Sequence, residues 1–186
     1  VEDLRGRRGL PGLMREVQGV DRVLSPDTGT MHLAAFLGVP VTASFLSSAW
    51  AWETGPYGEG HTVFQATLPC SPCLESDPCP HEVACLKPFQ DHGFLSLLAT
   101  GRLRQEGGLM VLGSRLDALG VRYEPVAGTD PHARERADLR HLVAEHLGLE
   151  LESPETSGQN TLCTQAETLH RPLDWAMAKG RSIWEH

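Results

Sequence analysis

"LSPDTGTMHLAAFLGVPVTASF", residues 24–45, decides the fold class. An apolar stretch ends at Pro26, a polar triplet follows, and an apolar run from Thr28 to Leu37 reads as a helix stopped by Gly38. The β-branched residues 39–46 then read as a strand. Strand, tight turn, helix, strand is a βαβ unit, which predicts a parallel sheet with a right-handed crossover.

The triplet Asp27-Thr28-Gly29 has two chemical readings. It is the triplet that carries the catalytic carboxylate of aspartic proteases. That chemistry needs two such carboxylates sharing a proton, in a β-rich setting. Here the triplet launches a helix, which argues against the protease. The second reading is a helix start that grips a phosphate. The hydroxyls of Thr28 and Thr30 are candidates to cap backbone N–H groups, and Gly29 lets the backbone approach a ligand. The unpaired N–H groups and the positive dipole end favour an anion. Asp27 repels phosphate, so its role would be to accept sugar hydroxyls or to fix the turn. His32, near the first helical turn, is a candidate donor to a phosphate oxygen. Spacing alone leaves a plain alternative open: a turn residue, a cap and a half-buried histidine.

Outward from this unit, residues 9–18 predict a short helix opened by Pro11, with Leu10, Leu13, Met14 and Val17 on one face. Residues 21–26 predict a buried strand, 47–61 a loop rich in Gly and Trp, and 62–66 another strand. The three prolines between Cys70 and Cys85 exclude regular structure there, and residues 90–103 suit a helix. Two short strands around a turn are expected at 108–114 and 120–128. Residues 130–148 predict an amphipathic helix capped by Asp130, with Leu139, Leu142, Val143 and Leu147 on one face. The tail from Glu150 is polar, with a weak helical pattern over residues 175–184.

The 186 residues suffice for one domain with a core, or one domain and an appendage. A net charge of -8 speaks against a nucleic-acid partner that tracks phosphates. No apolar run is long enough to span a membrane and no secretory signal opens the chain, so a cytoplasmic setting is expected. The chain opens at Val1 rather than Met, within what reads as a loop, and is expected to be a fragment.

Four of the five cysteines form Cys70-x2-Cys73-x5-Cys79-x5-Cys85. Four thiols with one tight pair leave open a structural zinc, with His81 as a spare ligand; the alternative is a Pro-braced loop of reduced thiols. Cys163 stands apart. Trp50 and Trp52 beside a Gly-Pro loop suggest either stacking on a sugar or base, or packing of the loop on its own domain. His132, His141 and His146 read as a solvated face rather than a metal site.

Residues 27–45 closely resemble the Asp-[Ser/Thr]-Gly-x-x-His-x-Ala-x-x-x-Gly-x-Pro run of glycosyltransferase family nine, the ADP-heptose:lipopolysaccharide heptosyltransferases. Three further stretches match that family in order. "DLRGRRGLPGLMREVQGVDRVLSP" (3–26) is similar to the helix and strand before the motif, "ETGPYGEGHTVFQ" (53–65) to its Gly-Pro-Tyr-Gly loop, and "CSPCLESDPCPHEVACLKPF" (70–89) to its cysteine stretch. The resemblance covers about residues 3–100.

It implies a Rossmann-like domain forming part of the C-terminal, donor-binding half of a GT-B enzyme, over residues 1–103 with the Cys-rich loop 70–85. Residues 104–186 would be an α+β extension of unknown role. Asp27, Thr28, Gly29, Thr30 and His32 would meet the nucleotide-sugar donor, ADP-heptose, with Thr30 at a variable position of the motif. Heptose would pass, with inversion and no required metal, to the lipopolysaccharide inner core. The acceptor half and the general base would belong to an N-terminal domain of the same protein, so this chain alone would be inactive. The setting implied is the cytoplasm, with peripheral contact at the inner face of the inner membrane. The motif names neither base nor sugar, so another nucleotide sugar stays open. The competing class is a non-catalytic module, Rossmann-derived or zinc-braced, that binds a partner.

Overall fold

The computed structural model describes residues 2–73, 78–92, 94, 95, 98 and 108–151. Their elements are α1 (Leu10–Gln18), β1 (Val23–Pro26), α2 (Gly29–Phe36), β2 (Val41–Phe45), α3 (Ala51–Thr54), β3 (Thr62–Ala66), a 3-10 turn (Ala84–Leu86), α4 (Lys87–Gln90), β4 (Leu109–Asp117), β5 (Gly120–Ala127) and α5 (Ala133–Leu147). The strands form one sheet in the order β1-β2-β3-β4-β5. β1, β2 and β3 are parallel, whereas β4 joins β3 antiparallel and turns back into β5. The fold is α/β and Rossmann-like in its parallel part, with a mixed sheet as a whole. The hairpin that follows residue 107 is hydrogen-bonded into the sheet of the preceding segment.

Parallel pairing of β1, β2 and β3 requires crossover connections, which α2 and the segment containing α3 supply. β2 is an interior strand and buried almost throughout, with Val41, Ala43 and Phe45 at 0% exposure. These side chains meet Met31 and Ala34 of α2, Val63 of β3, and Met110 and Leu112 of β4 in one core. The pleat sends Phe64 to the opposite face, where it packs with Val111, Phe89 and Phe94. Phe94 meets both Phe64 and Phe89 edge-on, at centroid distances of 5.2 Å. Both faces of β3 are thereby covered, as a parallel sheet requires.

Several expectations change. The strand over 21–26 is not buried: β1 is the edge of the described sheet, and Leu24 is exposed. An edge tolerates Pro26, which has no N–H to donate. On α1 only Val17 is buried and Leu13 packs on the core, while Leu10 is exposed. Asp130 does not cap α5; His132 holds that position, and the Asp130 carboxylate accepts the His132 backbone N–H at 2.9 Å. The apolar face of α5 also points away from the described core. Leu139, Leu142, Val143 and Leu147 are exposed, while Arg136, Arg140 and Ala144 face the protein. Most of the helix expected over 90–103, and the helix expected over 175–184, lie outside the described residues.

His61 locks the N-terminal ends of the strands. Its Nδ1 accepts the Val41 N–H at 3.2 Å, and its own backbone N–H donates to Ser114 Oγ at 2.9 Å. Burial holds this imidazole below the usual histidine range, a hydrogen bond to the Tyr57 backbone opposes that, and the Arg22 charge reinforces it. A lowered folded pKa means the unfolded chain binds the extra proton first. The His61 contribution is therefore complete above the ordinary histidine value of about 6.5 and is lost as pH falls through the window below it. Urea midpoints are expected to drop between neutral and mildly acidic pH, and His61→Asn should flatten that drop. Equal slopes in both proteins would refute the assignment.

Candidate functional site

The loops after β1 and β2 emerge side by side at the carboxyl ends of the parallel strands. This is where open α/β sheets take their ligands. Thr28 ends β1's turn in extended backbone (φ -150°, ψ 165°) and α2 begins at Gly29. The Thr28 hydroxyl does not cap α2, contrary to the sequence reading. It pairs instead with Ser25 Oγ at 2.9 Å, and no side-chain cap closes the helix start. Thr28, Gly29, Thr30 and His32 are all exposed, and Asp27 is half-buried. A methyl group built on Gly29 meets nothing within 4 Å, so the space in front of the first turn is open. Gly29 is therefore required neither by internal packing nor by a left-handed backbone.

Asp27 is held from the neighbouring loop. Its Oδ2 accepts the Thr54 hydroxyl at 2.9 Å. Its Oδ1 lies 3.9 Å from His32 Nε2, too long for a hydrogen bond but close enough for attraction when the imidazole is charged. The structure thus brings Asp27 and His32 together at the mouth of α2, with Thr28 and Thr30 on its exposed rim. A carboxylate that accepts from one side keeps capacity for further donors, such as sugar hydroxyls.

Thr54 belongs to α3, a single turn within residues 47–61 where a loop was expected. One turn cannot hold itself in water. Gln65, 0% exposed on β3, supplies the support. Its Oε1 accepts the Ala51 N–H at 3.0 Å, and its Nε2 donates to the carbonyls of Leu46 at 3.0 Å and Ala49 at 3.1 Å. From the other side, the buried Tyr123 hydroxyl of β5 donates to the Pro56 carbonyl at 2.7 Å. Burial pushes the Tyr123 phenol up, so it remains a donor at every relevant pH. Gly55 must be glycine here, because a methyl group would overlap the Tyr123 hydroxyl and the Ala51 carbonyl.

Trp50 and Trp52 pack on each other at 5.6 Å, and the Arg136 guanidinium covers the Trp52 ring. Gln65, Thr54, Tyr123 and Arg136 escaped the sequence reading. A polar residue in the run "TVFQA" was the one available signal, since a strand buried on both faces has no place for an unsatisfied amide.

The four clustered cysteines differ in exposure. Cys85 is buried, Cys70 is half-buried, and the exposed Cys79 thiol accepts the Val83 N–H at 3.3 Å. Among the described residues, no three His, Cys, Asp or Glu side chains come together to hold a metal ion. Cys163 lies outside those residues. Nor is any described helix long and apolar enough to cross a membrane.

Comparison with known proteins adds to this geometry. Residues 2–82 match the family model described as glycosyltransferase family 9 (heptosyltransferase). Lipopolysaccharide heptosyltransferase 1 of Pseudomonas aeruginosa is 36% identical over 69 residues, which cover 37% of this chain and 19% of that protein. The match thus spans about a fifth of that relative's length. No solved structure matches the chain significantly. The matched segment carries the whole β1–α2–β2–α3–β3 unit and the Asp27 corner. Over residues 2–82, this chain is similar to glycosyltransferase family 9 (heptosyltransferase).

Proposed function

We propose that this chain is part of the donor-binding half of a glycosyltransferase that takes a nucleoside-diphosphate sugar, ADP-heptose, and serves transfer to the lipopolysaccharide inner core. The observation that carries the reading is the uncapped, open start of α2 beside a fixed carboxylate. A diphosphate seated at that start would meet backbone N–H groups and the positive end of the helix. As the bond from the sugar's anomeric carbon to the diphosphate oxygen breaks, negative charge grows on the leaving group. Dipoles already aimed at that position stabilise it without rearrangement. Asp27 would orient the sugar through its hydroxyls, and His32 would donate to a phosphate oxygen. We assign no general base within this chain; the acceptor and the base belong, in this reading, to a further domain of the same protein. The setting would be the cytoplasm at the inner face of the inner membrane, where such an acceptor is made.

Titration of the chain with ADP by calorimetry tests the donor site, with Gly29→Ala as the informative variant. Its added methyl has room in the fold, and replacing Gly within a helix stabilises by about 0.5–1 kcal/mol. The same methyl stands where the diphosphate would approach, so ADP affinity should fall about tenfold or more, a cost on the order of 1.4 kcal/mol. Wild-type protein that stays silent to ADP would overturn the donor reading and favour a non-catalytic binding module. Undiminished affinity in Gly29→Ala would move the diphosphate away from α2.

A further inference from the structure

The family match ends at residue 82, yet the loop beside Asp27 is also held from beyond it. The Arg136 guanidinium lies 3.7 Å from the centre of the Trp52 ring and 5.9 Å from that of Trp50. Asp130, buried, fixes that guanidinium: its Oδ2 accepts Arg136 Nε at 3.1 Å, and its other oxygen accepts from Arg136 Nη2. The same carboxylate accepts the His132 backbone N–H, so the Arg136 side chain and the start of α5 share one anchor. A planar cation held over an indole face is attracted by the ring and shielded from water by it. Trp52 stands two residues before Thr54 in the four-residue α3, and Thr54 donates to Asp27. A continuous path of contacts thus runs from Asp130 through Arg136, Trp52 and Thr54 to Asp27.

We infer that Arg136 is a positioning residue for the donor site: stacked on Trp52, it holds α3 and with it the Thr54–Asp27 hydrogen bond in place. The word donor rests on the function proposed above; the clamp itself does not. Gln65 supports α3 from the sheet, but it grips the backbone at residue 51 and before, not the end that bears Thr54. The extension therefore supplies what the matched segment lacks, a fixed outer wall for the α3 turn. Arg140 anchors the next turn of α5 separately, to Asp117 and the Val121 carbonyl. Loss of Arg136 therefore loosens α3 without releasing α5.

Hydrogen exchange on the full chain, with Arg136→Met and Arg136→Lys, tests the clamp. In Arg136→Met the amides of residues 50–55 should exchange roughly tenfold faster, with β2 and β3 unchanged. Arg136→Lys, a cation without the planar fork, should restore only part of the protection. Affinity for ADP-heptose, read in parallel, should weaken roughly fivefold in Arg136→Met, because Asp27 is assigned to the sugar. Unchanged exchange at 50–55 overturns the inference, and so does faster exchange spread through β2 and β3, which would mean a general structural role. If wild-type protein does not bind ADP, the donor reading fails, while exchange at 50–55 still decides the clamp.

Discussion

Asp27→Ala is expected to reduce sugar transfer by the intact protein roughly 100-fold, while the fold persists. The size follows from the loss of charged hydrogen bonds to the substrate, worth about 1.5–3 kcal/mol each, in a reaction where every 1.4 kcal/mol or so is tenfold. The fold persists because Asp27 is half-buried in a turn, and among the described residues its one hydrogen bond to a distant part of the chain comes from Thr54. Losing that bond costs about 0.5–1.5 kcal/mol. His32→Ala should also slow transfer without unfolding, since the imidazole is exposed. Initial-rate kinetics beside circular dichroism separates the two outcomes. Wild-type turnover in both variants would remove Asp27 and His32 from the site.

Gln65→Leu should be the most damaging single change to stability, at about 3–5 kcal/mol. The new side chain matches the old in size, so little cavity forms. The damage comes from three backbone groups, the Ala51 N–H and the carbonyls of Leu46 and Ala49, left facing an apolar side chain. A buried polar group without a partner costs about 1–3 kcal/mol, and water entering the loop relieves part of the total. Urea denaturation gives the magnitude. A loss below about 1 kcal/mol would mean that the loop re-pairs without Gln65 and that its amide is incidental. The same variant should impair binding of ADP-heptose, because α3 carries Thr54 to Asp27, the residue assigned to the sugar.

Local elements were legible because local patterns encode them. The Pro26, Asp27-Thr28-Gly29 and Gly38 signals bracket α2 within a residue or so, and the apolar run 62–66 coincides with β3. The motif residues gather at the mouth of α2, with the Thr28 hydroxyl turned toward Ser25. What was not legible is what depends on partners far along the chain. The expected buried strand at 21–26 is an edge because β2 covers it from one side only among the described residues. The leucine stripe of α5 resembles a core-facing stripe, yet the helix seats itself through Arg136 and Arg140. Periodicity reports that a helix has two unlike faces; it does not report which one meets the protein.

The amino-acid sequence by itself determined the βαβ unit, the helix start at Gly29 and the likeness of residues 2–82 to glycosyltransferase family 9, since turn chemistry, hydrophobic period and motif order act over a few neighbouring residues. Only the tertiary structure decided that the later hairpin completes the same sheet, and that Gln65, Tyr123 and Arg136 build the loop holding Asp27. Those contacts join residues tens of positions apart, and a buried hydrogen bond or a stacked guanidinium leaves no periodic trace along the chain.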